Sequence, residues 1–392
     1  MSTRIPRRVS VIGVIAVLLS ACAGPVSPST QVATVTLSHQ PSSARTTPGA
    51  AATPRATAMN EPTPASTPAA TATGLPIGPR LPAHVFAPYL EMYAGDRVST
   101  LVAASGATHY TLAFVETTGT TSCQLGWGGA TGFTDQHSLD LIADTVALRA
   151  AGGDVIPSFG GYSADNQGRE IGDSCADPVA IADGYQSVIA MLGVTRLDMD
   201  VEDASLNDPN GIDNRNKGLK ILEDRVAAKG GAVEVQYTLP TSPNGLDDGG
   251  LAVLRNAVTN GTRVDIVNIM VFDYYDGTTT DMAAAAISAA NALHGQLATI
   301  YPAKTDAQLW AMIGLTLMPG VDDYPKKTEV TTVKHAQQVM AFARQHGLAT
   351  LSMWAMERDN GSCPGSAGQD GCSGIRQADW AFTRALTGFT GP

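Results

Sequence analysis

Eight apolar, β-branched runs recur along residues 81–392: Val85–Met92, Tyr110–Val115, Asp154–Gly161, Arg196–Glu202, Val233–Leu239, Val264–Tyr274, Leu309–Leu317 and Thr350–Met356. Such runs, bounded by turn residues, are the pattern of buried strands. Pro88 interrupts the first, and proline has no N–H for a sheet ladder. Between most of the runs lie segments of helical character: Leu139–Ala151, Pro178–Leu192, Gly218–Lys229, Gly249–Asn260, Met282–Ile300 and Val333–His346. Alternation of apolar strands with helices predicts a parallel sheet covered by helices. Eight units in about 310 residues predict a single α/β domain, a (β/α)8 TIM barrel, with its chemistry at the C-terminal ends of the strands. A doubly wound sheet is the competitor, but no GxGxxG follows the first strand.

The N-terminal residues follow a different pattern. Arg4, Arg7 and Arg8 precede the apolar run Val9–Leu19, and Leu19-Ser20-Ala21-Cys22 comes next. This predicts a secretory signal peptide over residues 1–21. Its end resembles the bacterial lipobox, in which the cysteine, here Cys22, is lipidated. An ordinary signal peptide with a chance cysteine is the alternative. The run is shorter than the roughly 20 residues of a spanning helix, so the membrane is expected as a partner only through lipid on Cys22. Residues 22–80 are mostly Pro, Ala, Thr and Ser and bury too little apolar surface to offset chain entropy. They read as a disordered tether holding one folded domain, residues 81–392, off the outer face of a bacterial envelope.

Composition narrows the function classes. Lys+Arg is 25 and Asp+Glu is 36, a formal charge of −11; loss of three arginines with the signal gives 22 − 36 = −14. With no basic cluster, nucleic acid is not an expected partner. Composition also excludes a polytopic membrane protein. Of five cysteines, Cys22 is assigned to lipid, leaving Cys123, Cys175, Cys363 and Cys372. Cys363 and Cys372 are close together in a Gly/Ser-rich stretch and are expected to pair, which pairs Cys123 with Cys175. A metal site is the alternative, but no CxxC, HxH or HExxH spacing is present.

One run departs from the apolar rule. Asp198, Asp200 and Glu202 stand at i, i+2 and i+4 in Leu197-Asp198-Met199-Asp200-Val201-Glu202. Strand side chains alternate, so the three acids share one face, about 7 Å between successive members. In a barrel they line the interior and rise toward the C-terminal rim. Repulsion and desolvation should raise at least one pKa, and a raised Glu202 suits a general acid. Alternating carboxylates could also hold a divalent cation, or be chance acids on an edge strand.

The chain here resembles glycoside hydrolase family 18, of the bacterial chitinase type. The family signature on the fourth strand is Asp-Gly-x-Asp-x-Asp-x-Glu. Its last five positions match Asp198–Glu202, while its first two are Thr195 and Arg196 here. Ser158-Phe159-Gly160-Gly161, Met270-Val271-Phe272-Asp273-Tyr274 and Leu351-Ser352-Met353-Trp354 resemble the family's third, sixth and eighth strand motifs, in the right order. The resemblance implies hydrolysis of β-1,4-linked N-acetylglucosamine polymers, chitin or chitooligosaccharides, with substrate assistance. Glu202 would protonate the glycosidic oxygen. The sugar's own acetamido carbonyl would attack C1, giving an oxazolinium ion and net retention. Asp200 would hold the acetamido N–H and share a proton with Asp198 or Glu202. No cofactor or metal is implied, and a monomer is expected. Asp273 is the implied second acetamido contact and Trp354 the sugar floor, with Met270 beside them. Phe272 replaces the family's tyrosine, so Tyr237, in Gln236-Tyr237-Thr238, or Tyr274 is the candidate for the missing hydroxyl. Trp127 is a candidate rim platform, and Tyr89 a candidate facing the cleft. Trp310 and Trp380 read as packing. An endo-β-N-acetylglucosaminidase and a silent sugar-binding barrel remain alternatives.

Overall fold

A computed structural model describes residues 78–92, 97–130, 132–324, 326–366 and 369–391. The signal peptide, Cys22 and residues 22–77 of the tether lie outside them. Ordered contacts begin slightly before Leu81: Arg80 pairs with Glu234 at 3.1 Å.

Among the described residues nine strand segments run side by side in parallel, and two of them are halves of one strand. Pro88 lies between those halves, Val85–Phe86 and Tyr89–Glu91. The first half pairs with the last strand, Thr350–Met353, and the second with His109–Thr117. One interrupted strand thus closes the expected barrel. The others, in order, are Asp154–Gly160, Arg196–Asp200, Glu234–Pro240, Ile266–Met270 and Ile313–Leu317, giving eight barrel strands. A short segment, Leu125–Trp127, folds back antiparallel on the second strand.

Several strands are shorter than the apolar runs that signalled them. The seventh begins at Ile313, because Thr305 and Gln308 form a capping box that starts the helix Asp306–Trp310. The fourth ends at Asp200, two residues short of Glu202. Helices Pro178–Leu192, Met282–Ile300 and Val333–His346 match expectation, and the helix expected from Gly218 starts earlier, at Pro209. There Asp208 caps the Asn210 amide and proline occupies the first turn, where its missing N–H costs nothing. Among the described residues no helix is long and apolar enough to cross a membrane.

The core lies between sheet and helices. Leu197, Met199 and Val201 face outward into it with no exposed surface, each contributing about 1.5–3 kcal/mol through burial. Phe159 meets Tyr185 of helix Pro178–Leu192 edge-on at 5.0 Å. The disulfides are Cys123–Cys175 and Cys363–Cys372, the pairing read from spacing. Arg196, where the family signature has glycine, sits at the opposite end of the strand from the rim. It ion-pairs with Glu234 at 2.9 Å and donates to Thr350, plugging the N-terminal mouth.

Candidate active site

Alternation on the fourth strand turns Asp198 and Asp200 into the barrel, opposite Leu197 and Met199. Asp198 is fully buried and takes four donors. Ser158 and Tyr89 hydroxyls donate to Oδ2 at 2.7 and 2.8 Å, and Thr238 and Gln236 donate to Oδ1 at 2.7 and 3.0 Å. Asn268 donates in turn to Thr238 at 2.9 Å. Burial raises the Asp198 pKa, and the four hydrogen bonds oppose the rise. A cation would need acceptors facing it, whereas these groups aim donors at the carboxylate. Among the described residues no cluster is arranged to hold a metal ion.

Asp200 is in a different environment. It is buried, and its Oδ1 has no hydrogen bond among the described residues. Burial first, then the charges of Glu202, Asp198 and Asp165, hold its pKa well above the usual carboxylate range. Gly160 lies alongside at φ 101°, and a Cβ there would stand 2.2 Å from the Asp200 carbonyl oxygen. Only glycine permits that approach.

Glu202 sits at the rim, half-buried, where the chain leaves the sheet. Val201 still pairs with Thr238 at 3.0 Å, and Ser205 then turns back onto the Glu202 carbonyl at 3.0 Å. Burial, reinforced by Asp203, pushes the Glu202 pKa to about 7, and the Tyr162 amide partly offsets this. The Glu202 amide itself donates to Asp165. Asp165 and Tyr162 were not singled out by sequence, because neither lies on a periodic element.

Trp354 follows the eighth strand. Its ring stacks on Phe114 at 5.4 Å and 17°, and meets Tyr89 edge-on at 5.6 Å. Met270, Phe272, Met282 and Met318 form an apolar group against which Trp354 and Tyr274 pack. Phe114 also went unread, because a register shift between Leu112 and Val115 changes which residues face inward. Asp273, at φ 49°, lies beyond the sixth strand. Its amide donates to Asp322 at 3.0 Å and its Oδ1 accepts from the Asp323 amide at 2.9 Å. Burial, then Asp322 and Asp323, push its pKa to about 8. The Tyr274 amide is held by Glu329 at 2.7 Å, and its hydroxyl has no hydrogen bond among the described residues. Tyr162 and Tyr275 are exposed at 62% and 56%, so both rings are open to solvent beside these acids.

Four expectations need correction. Tyr237 points outward, and its hydroxyl donates to Asn216 at 2.6 Å on helix Pro209–Ala227, so it cannot serve the cleft. Gln236 points inward, but at 1% exposure its amide is committed to Asp198. Tyr89 is likewise buried and supports Asp198 and Thr238. Trp127 is 7% exposed and packs edge-on against Phe133, so it offers no open face.

No family model matches the sequence. Curated relatives do. A protein of Escherichia coli (strain K12) described as "Probable bifunctional chitinase/lysozyme" is 32% identical over 289 residues, 71% of this chain and 31% of that protein. "Endochitinase 11" of Metarhizium anisopliae is 32% identical over 289 residues, 71% of this chain and 53% of the relative. The match thus spans about a third of the first of those curated relatives and about half of the second. Among solved structures, active domain 2 of the thermostable chitinase from Pyrococcus furiosus, a catalytic-site mutant complexed with chito-oligosaccharides, superposes with a TM-score of 0.69 at 30% identity, covering 81% of this chain and 97% of that one. With the barrel, the carboxylate ladder and this relative covered almost end to end, the chain belongs to glycoside hydrolase family 18.

Proposed function

We propose that this chain is a chitinase, a retaining hydrolase of β-1,4-linked N-acetylglucosamine polymers that works by substrate assistance. The carrying observation is Glu202: a half-buried rim carboxyl with a pKa of about 7, next to an Asp200 held well above the carboxylate range. A carboxyl poised near neutrality can both give and take a proton at working pH. Glu202 protonates the leaving oxygen and later activates water. Asp200 Oδ1, buried without a hydrogen bond among the described residues, accepts the acetamido N–H. The four donors on Asp198 favour its charged form against the burial that raises its pKa, while burial and the neighbouring carboxylates favour the protonated form of Asp200. Trp354 floors the sugar. The Tyr274 hydroxyl, which has no hydrogen bond among the described residues, takes the place of the hydroxyl that Phe272 lacks. The chito-oligosaccharide complex of the Pyrococcus relative supports this ligand class.

The test is Glu202→Gln, which keeps the shape and removes the proton. Hydrolysis of chitotetraose should fall by at least about 10²-fold, the scale of a general acid, while binding persists. Unchanged turnover would sink the assignment. We further propose, from Leu19-Ser20-Ala21-Cys22, that the enzyme is displayed on a bacterial envelope by lipid on Cys22. Cys22→Ala should abolish incorporation of labelled palmitate in the host; label retained by that variant would rule the anchor out.

A further inference from the structure

We infer that Asp165 is a positioning residue of the reaction, holding the acid Glu202 by its main-chain amide. The inference rests on Glu202 being the acid. Asp165 lies in the short helix Tyr162–Asn166, directly after the third strand. That helix grips Glu202 at both ends of the residue: the Tyr162 amide faces the Glu202 carboxyl, and the Asp165 carboxyl accepts the Glu202 amide. Two more bonds tie the same two loops together. Asn166 donates to Asp203 at 3.2 Å, and Ser205 donates to Asp173 at 2.5 Å. The helix is itself fixed to the fourth strand, because the Gly161 amide donates to the Asp200 carbonyl at 3.0 Å. Beneath it, Arg215 and Glu170 form a fully buried pair at 2.7 Å.

Asp165 is 1% exposed, and its Oδ1 has no hydrogen bond among the described residues. The charged groups facing it are Glu170, Arg215, Glu202 and Asp200, with Asp173 beside Glu170 and Asp203 beside Glu202. Burial, then Glu170, hold its pKa well above the usual range, against the Glu202 amide and Arg215. What Asp165 supplies to Glu202 is an acceptor, its Oδ2, for the main-chain amide. An asparagine carbonyl can do the same.

The experiment compares Asp165→Asn and Asp165→Ala in the full chain on chitotetraose. Asn should keep kcat within about threefold. Ala should lower kcat at least about tenfold, since small displacements of a catalytic group are costly, with KM within about threefold. In Ala, water enters the vacated space and relieves the burial of Glu202, so the alkaline limb of the pH profile moves to lower pH. Should Ala not fold, Asp165→Leu replaces it, matching asparagine in shape without the acceptor, and the Asn–Leu difference in kcat is the readout. Wild-type kcat and pH profile in Ala would overturn the inference. So would an Asn variant as impaired as Ala, because a charge or proton would then matter rather than the acceptor. Glu202→Gln, run alongside, separates the two readings. If that variant is inactive and Asp165→Ala is normal, only the present inference fails. If it is active, the acid itself is misassigned.

Discussion

Glu202 must carry a proton to act as an acid, and its pKa of about 7 decides the pH at which it does so. Burial raises that value by making the charged form costly. Activity should therefore persist below about pH 7 and fall roughly tenfold per unit above it, read as kcat/KM against pH. A profile flat to pH 9 would contradict the role. Stability runs the same way: a carboxyl raised in the folded state favours folding below its unfolded value near 4.5 and loses that contribution as pH rises through about 7. The acids Asp198, Asp200 and Glu202 were legible because alternation on a strand is a local rule. Asp165 was not, since its role arises only where one loop docks on another.

Alternation along an element also explains the misreading of Tyr237. The residue is correctly placed on the fifth strand, but its parity opposes that of Gln236 and Thr238, both of which reach Asp198. Tyr237→Phe should leave kcat and KM within about twofold and cost about 1 kcal/mol of stability, because Asn216 loses a donor. Thr238→Val, one residue away, should lower kcat by about tenfold or more, since it removes a donor from a fully buried carboxylate. The reverse pattern, measured by steady-state kinetics and thermal unfolding, would place the strand in the wrong register. Strand ends were less legible than strands. The acids of the loops after the sixth and seventh strands, Asp273, Asp322 and Glu329, are organised by a hairpin, Gly320–Val321 with Val330–Thr331, that no periodicity announced.

At the scale of the whole molecule, the eightfold repeat was legible because parallel barrel strands are buried on both faces and read as apolar runs. Closure was not legible: Pro88 marked only an interruption, and the first strand changes partners there. The Cys123–Cys175 disulfide spans 52 residues and joins the loop after the second strand to the segment that carries Asp165 and Asp173. Cys123→Ser with Cys175→Ser should cost about 2–5 kcal/mol and lower the thermal midpoint; an unchanged midpoint would show that packing alone holds these loops.

Substrate-assisted retention asks for one general acid and no carboxylate nucleophile. It is tested most directly by proton NMR of the first product released from chitotetraose, read before mutarotation. The β-anomer should appear first. An initial α-anomer would mean direct attack by water, and would contradict the roles given to Asp200 and Glu202.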